Sequence, residues 1–556
     1  MQRRTRVMAT AIGIGALTFL AACGGGGGGE EAGGGGATAG GAGGEISMQG
    51  CTPQEAMWPG STNETCGGNV LDAVQAKLIH YNSDNAAPEN DIAESIESDD
   101  NQNFTVKIKK DYMFSDGTEV KARNFVDAWN FTANGVNGQA NSYFFGVVEG
   151  YEDLQCGTDK KGEVDCEGQP PKADELTGLE IVDDYTFTIK TTEKVSNLPV
   201  RLGYTAFAPL PDSFLDGDEA TRKEQGKVPV GAGPFKVTES DTQHIVLERN
   251  EHYSGQWKPS VDKVDYVIYA DANAAYADLL GGNLDFMAQI PADYLVGDQY
   301  KTDLPERNLT RAQGSSVWLV FSPDDDQLVD NLELRKAISM AVDRDTIIKQ
   351  VLNGTAEKST GWVPSIVDGY QPDVCGEPCN FDAAKAKQMF EDAGGYEGTL
   401  TLGYNADGDN KAWAEAAANS IKNTLGIEVV AQGTPTFAEF LDKLDAHEVK
   451  GIFRMGWQMD YPSIENWLAP IYSKNADSNY AKYNNPEFEK LLKEAAAADS
   501  TEAGNKLYQD AEKVLAKDFP TAPLWSTAAV AGWSEKVTNV KVTAFGTLDL
   551  SSIKIK

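Results

Sequence analysis

Between residues 398 and 456 the apolar pattern switches repeatedly between a period of two and a period near 3.6, and this restricts the fold more than any other feature of the chain. Strands over 399–404, 427–431 and 451–455 alternate with helices over 411–425 and 437–444, joined by short connections. Crossovers of that length favour parallel strands joined right-handedly, so this part of the chain is α/β. Open parallel sheets bind ligands beyond the carboxyl ends of their strands. Here that edge carries Gly456-Trp457-Gln458-Met459-Asp460-Tyr461-Pro462, with Arg454 in the strand that feeds it. Two aromatics, an acid and an arginine therefore converge where the topology expects a ligand.

The remainder reads as further α and β units. Phe104-Thr105-Val106-Lys107-Ile108-Lys109 alternates like a half-buried strand, and Ser115-Asp116-Gly117-Thr118 supplies a turn. Phe125, Ala128, Trp129 and Thr132 then give the following helix one buried stripe. Residues 156–175 are hydrophilic and read as a loop, and 179–181 with 185–189 read as a hairpin turned at Asp183-Asp184. Gly231-Ala232-Gly233-Pro234 opens a β-rich stretch with strands over 235–237, 244–248 and 264–268. Leu334, Ala337, Ile338, Ala341 and Val342 form a helical stripe; Asp343 is placed to cap the next helix and Gly354 to end it.

The N-terminus states the compartment. Arg3, Arg4 and Arg6 precede an apolar run over 8–22 with no acidic residue, the layout of a secretory signal and too short for a membrane-spanning helix of about 20 residues. The run ends Leu20-Ala21-Ala22-Cys23, which resembles the bacterial lipobox, so residues 1–22 are expected to be a lipoprotein signal and Cys23 the lipidated mature N-terminus. Residues 24–45 hold 14 glycines with only Ala, Thr and Glu between them, the composition of a flexible tether. Beyond it the chain is acidic, with 48 Lys and Arg against 84 Asp and Glu in all 556 residues and a formal charge of −36. Such a surface repels phosphate backbones and anionic headgroups, which argues against nucleic-acid partners and leaves the lipid as the route to a membrane. Export also makes disulfides the default for the remaining six cysteines. Fifteen pairings are open to six cysteines, and the sequence-local couples Cys51 with Cys66, Cys156 with Cys166 and Cys375 with Cys379 close most easily.

The sequence offers little for an enzyme. It has no G-x-S-x-G elbow, HExxH, P-loop or dinucleotide-binding glycine turn between a strand and a helix. Ser83-Asp84-Asn85 matches one penicillin-enzyme motif, yet the S-x-x-K matches at 260–263 and 551–554 follow it and K-T-G is missing. His80, His244, His252 and His447 are scattered and no CxxC pair occurs, so neither a metal site nor a cofactor is expected. A carboxylate pair of a glycosidase cannot be located among so many acids.

Several blocks together resemble the extracytoplasmic solute-binding proteins of ABC importers, in the family of the oligopeptide- and dipeptide-binding proteins. They are Phe114-Ser115-Asp116-Gly117-Thr118; Gly231-Ala232-Gly233-Pro234-Phe235 with Leu247-Glu248-Arg249-Asn250 and Tyr253; Leu334-Arg335-Lys336-Ala337-Ile338 with Asp343-Arg344; and Tyr483-Asn484-Asn485-Pro486-Glu487. Lys121-Ala122 stands where the family has a Thr at the helix start, which costs a cap. The resemblance implies an α/β, two-lobed type II periplasmic-binding-protein fold with an additional inserted domain and a hinged cleft. Lobe one would comprise 46–76, 205–313 and 520–556, the inserted domain 77–204, and lobe two 314–519, after the lipidated tether at 23–45. It implies a monomer that captures short peptides and hands them to permease subunits. Arg454-x-Gly456-Trp457-x-x-Asp460 resembles the segment whose Asp receives the peptide α-ammonium and whose Arg meets its carboxylate. Glu64, Tyr143 and Trp318 fall in segments that line the cleft in relatives, and Phe437 sits where relatives can carry a cleft Trp. A non-peptide solute such as a glycoside, metal chelate or siderophore-like compound, an exported hydrolase and a structural surface lipoprotein remain open alternatives.

Overall fold

The segment that constrained the sequence reading forms the expected βαβαβ unit. In the computed structural model, which describes residues 43–158, 164–269, 271–406, 410–474, 476 and 478–556, strands Leu400–Asn405, Val429–Thr434 and Ile452–Gln458 alternate with helices Lys411–Leu425 and Phe437–Asp445. The first strand pairs in parallel with both others. The helix Lys411–Leu425 buries Trp413, Ala414, Ala417, Ala418 and Ile421 along one stripe and stops at Gly426, whose φ of +73 suits only a residue without a Cβ. The strands run up to three residues past their apolar signal, because Gln432, Gly433 and Thr434 pair in register with Gly403, Tyr404 and Asn405. Backbone pairing needs no apolar side chain.

These strands form one flank of an eleven-stranded sheet. Its order is Val429–Thr434, Leu400–Asn405, Ile452–Gln458, Asn308–Phe321, Thr521–Trp533, Phe286–Met287, Glu45–Gly50, Lys263–Ile268, His244–Arg249 and Phe235–Ser240, with Ala356–Lys358 also on Thr521–Trp533. The two long strands Asn308–Phe321 and Thr521–Trp533 run antiparallel through the middle. Trp318, Leu319, Val320, Leu524 and Trp525 belong to one apolar core with Leu334, Ile338, Trp413 and Phe453. Ala529 and Ala531 belong to another, with Ile46, Val70, Phe235, Val264 and Phe286. The ladder between the long strands shifts register between Ala312 and Ser316, so one sheet serves two cores.

A separate four-stranded antiparallel sheet, in the order Ala93–Glu97, Asn103–Ile108, Thr186–Lys190, Leu179–Asp183, packs with helix Ala122–Ala133. Phe125, Ala128, Trp129 and Thr132 are all buried as the spacing predicts, and Trp129 Nε1 donates to Phe207 O at 3.1 Å. Lys121 provides no capping oxygen; Asn124 Oδ1 instead accepts from Lys121 N at 2.8 Å and restores part of the cap.

Two expectations need correction. The helix capped by Asp343 spans Arg344–Gln350 and does not continue to Gly354. Val351 N and Leu352 N both turn back onto Ile347 O, which closes the helix before the glycine is reached. Ala341 and Val342 lie beyond the preceding helix, Leu332–Met340, although both are fully buried. The signal, Cys23 and nearly all of the tether lie outside the described residues.

All three sequence-local disulfides are present: Cys51–Cys66, Cys156–Cys166 and Cys375–Cys379. Peptide mapping without reductant should recover these three pairs, and crossed pairs or free thiols would contradict the structure. By loop entropy, the two that close 15 and 10 residues should contribute about 2–3 kcal/mol each, so reduction should lower the denaturant midpoint.

Candidate ligand-binding site

The strand Ile452–Gln458 delivers its chain to a gap in the ladder of the long strands. Gly314 lies in that gap, accepting at its carbonyl from Met459 N at 2.8 Å and donating to Ala544 O at 2.9 Å. A Cβ at Gly314 would collide with Met459 Sδ, so any larger residue there would have to displace the Met459 side chain. The next residue, Asp460, borders a cavity of about 240 Å³. Its other walls come from the end of helix Thr65–Val74 and the turn after it, from the Gly203–Thr205 turn, and from the C-terminal segment 543–551.

Asn466 holds the Trp457–Asp460 segment in place. Its Oδ1 accepts from Asp460 N at 3.0 Å and from Trp457 Nε1 at 3.2 Å, and its Nδ2 donates to Asp460 Oδ2 at 3.0 Å. Asp460 has no cationic partner among the described residues. Desolvation pushes its carboxyl up to about 6, against the Asn466 hydrogen bond and with a contribution from Glu465. The hydroxyls of Tyr81 and Tyr204 are shifted upward, chiefly by burial and then by the charge of Asp460. Tyr81 and Tyr204 line the cavity.

The cavity is electrostatically one-sided. Asp72, Asp91, Asp460 and Asp549 line it, against Lys77 as the one Lys or Arg among its lining residues. Lys77 Nζ is bonded to Asp72 Oδ1 at 2.8 Å, Tyr112 donates to Asp91 at 2.9 Å and Ser83 donates to Asp549 at 2.7 Å. His80 stacks on Trp257 with ring centroids 3.8 Å apart, and burial pushes its pKa down to about 4, so it adds no positive charge at neutral pH. An ammonium group suits Asp460 both by charge and by hydrogen bonding.

The other residues singled out in the sequence occupy several places. Arg454 lies at the parallel-strand edge, where Nη1 donates to Asn405 Oδ1 at 3.0 Å and the guanidinium stands 5.9 Å from the Phe437 ring centre. It does not line the cavity that holds Asp460. Trp457 is half-buried against the large core, joined to Asp460 through Asn466. Trp318 is 6% exposed inside that core, paired with Met455 across the ladder. Tyr143 is 58% exposed, stacks on Phe144 and feels the charge of Asp460. Glu64 caps the helix whose far end reaches the cavity, accepting from Cys66 N at 2.6 Å and Gly67 N at 2.8 Å. Sequence reasoning passed over Asp72, His80, Tyr81, Tyr204, Trp257 and Asn466. A polar Asn at the head of the apolar run Trp467-Leu468 was the one local signal available.

Comparison with known proteins agrees with this architecture. The sequence profile of the bacterial extracellular solute-binding proteins, family 5, matches residues 87–479. The oligopeptide-binding protein OppA of Bacillus subtilis is 26% identical over 481 residues, covering 84% of this chain and 85% of the relative. Heme-binding protein A of Haemophilus influenzae is 27% identical, with 67% and 68% covered. The crystal structure of the ABC transporter substrate-binding protein CtaP of Listeria monocytogenes superposes with a TM-score of 0.76 at 22% identity, covering 92% of this chain and 99% of that one. With a profile match over most of its length and the two-lobed α/β fold of such proteins, the chain belongs to the bacterial extracellular solute-binding proteins of family 5.

Proposed function

We propose that this protein captures short peptides outside the cell membrane and delivers them to an ABC transporter permease, as a monomer and without catalysis. The carrying observation is Asp460, a desolvated carboxylate without a cationic partner on a cavity where acids outnumber bases. A short extended peptide is a zwitterion, and its α-ammonium satisfies that carboxylate. Arg454, beside Phe437 at the strand edge, is the proposed cation for the peptide carboxylate. Trp457, joined to Asp460 through Asn466, Tyr143, on which the Asp460 charge acts, Glu64 and Trp318 complete the proposed ligand contacts. The oligopeptide-binding relative favours this reading, and the heme-binding relative favours a second one, a non-peptide solute. The lobe limits read from the sequence belong to the same proposal, supported by the register shift between Ala312 and Ser316. So does the lipid anchor at Cys23, supported by Leu20-Ala21-Ala22-Cys23 and the tether behind it.

Asp460→Asn should weaken tri-alanine binding by about 30-fold to 1,000-fold in calorimetric titration, with N-acetylation of the peptide costing wild type a similar factor. The two changes combined should cost less than their sum, because both remove one contact. Strictly additive losses would exclude direct contact.

Wild-type affinity should also fall as pH drops through about 6 toward 5, approaching tenfold per pH unit, because ammonium binding must displace the proton from Asp460. Asp460→Asn should flatten that profile. The carboxyl is raised in the folded state, so its ionisation destabilises the ligand-free fold; the penalty builds as pH rises from the ordinary value of 3.8 to about 6 and is fully present above that. Asp460→Asn should therefore keep or raise the melting temperature at pH 7, whereas a structural role requires a fall.

Cys23→Ala should move the protein from the membrane to the soluble fraction in cell fractionation. Unchanged membrane retention would contradict lipidation.

A further inference from the structure

Helix Thr65–Val74 ends at the cavity, and Gln75 follows it with extended backbone (φ −107°, ψ 132°) while its N–H closes the last helical turn on Leu71 O. Gln75 is only 3% exposed and lines the cavity. Neither its Nε2 nor its Oε1 has a hydrogen-bond partner among the described residues. The side chain is also confined. A Cβ at Gly231 would collide with the Val74 carbonyl, which restricts this position to glycine, and would stand 3.0 Å from Gln75 Cδ, so the Gly231–Pro234 turn packs against the Gln75 side chain. Buried polar groups are almost always paired in proteins, because leaving them unpaired is costly. A buried carboxamide that lacks both kinds of partner, on the wall of a cavity, is arranged to receive one.

We propose that Gln75 is a specificity-determining residue that reads an amide group of the bound ligand. A primary carboxamide presents an acceptor oxygen and a donor nitrogen in one plane. An ammonium satisfies only the oxygen, a carboxylate only the nitrogen, and an aliphatic group neither. In an extended peptide the N–H and C=O of one residue point to the same side and satisfy both with two parallel hydrogen bonds. The inference rests on the peptide reading, since a peptide carries such a group next to the ammonium assigned to Asp460. Asp72, three residues before Gln75, lines the same cavity as Asp460, and the charges of both act on Tyr81 and Tyr204.

The test is Gln75→Met, close in shape and unable to form either bond, titrated with tri-alanine and with its two analogues in which one peptide N–H is replaced by an ester oxygen. Gln75→Met should weaken tri-alanine about 10- to 100-fold. One ester analogue should bind wild type more weakly than tri-alanine and lose that disadvantage against Gln75→Met. Without ligand, Gln75→Met should melt about 1–3 °C higher, because it removes a buried unpaired group. Unchanged tri-alanine affinity, ester penalties equal in both proteins, or a lower melting temperature would each overturn the assignment of Gln75 while leaving the peptide reading intact. Wild type that binds neither tri-alanine nor a mixture of tri- to pentapeptides would overturn the peptide reading, and the amide assignment with it.

Discussion

The antiparallel ladder between Asn308–Phe321 and Thr521–Trp533 is the constraint on which the rest of the molecule depends. Residues at one end of these strands are buried in the core of the βαβαβ unit, and residues at the other end in the core around Ile46 and Phe286. Where the register shifts between Ala312 and Ser316, the backbone of Gly314 turns to Met459 and Ala544 instead. The same interruption that lets one sheet serve two cores therefore seats the loop carrying Asp460. A regular ladder would leave that loop without its backbone anchor.

Around this anchor the protein maintains charge that its own side chains do not neutralise. Next to Asp460, Glu465 is buried but fully engaged: Arg201 stands 3.3 Å away, Tyr461 donates at 2.7 Å and Asn197 at 3.1 Å. Adjacent carboxylates thus have opposite situations. Glu465 ties the segment around Arg201 to the loop, as a buried ion pair with hydrogen bonds on its remaining lone pairs must. Asp460 has only the neutral Asn466, and in the proposed function the cost of its desolvation is what the peptide ammonium relieves. Binding strength in such a site comes from a preorganised charge rather than from buried area.

The parts of this structure written in local sequence were legible, and those assembled from distant segments were not. The βαβαβ unit, the stripe of Phe125, Ala128, Trp129 and Thr132 and the three disulfides depend on neighbours a few residues apart, so periodicity and spacing expose them. Asp460 was legible because a parallel strand's carboxyl edge is a topological position. The tyrosines facing it and Gln75 were not, because Tyr81, Tyr204 and Gln75 come from segments more than 250 residues away and nothing in their own surroundings marks a cavity. The early end of the helix after Asp343 was missed because Val351 and Leu352 close onto Ile347 before the glycine that seemed to terminate it. Arg454 and Trp318, which the resemblance brings to the ligand, lie at the parallel-strand edge and in the large core.

The central claim is that Asp460 receives a peptide's amino terminus. A crystal structure of the protein with tri-alanine tests it most directly. The peptide α-nitrogen should lie within about 3.2 Å of an Asp460 carboxylate oxygen, with the peptide in the cavity bordered by Tyr81 and Tyr204. A bound peptide whose α-nitrogen is paired elsewhere, with the Asp460 carboxylate still bonded only to Asn466, would contradict it.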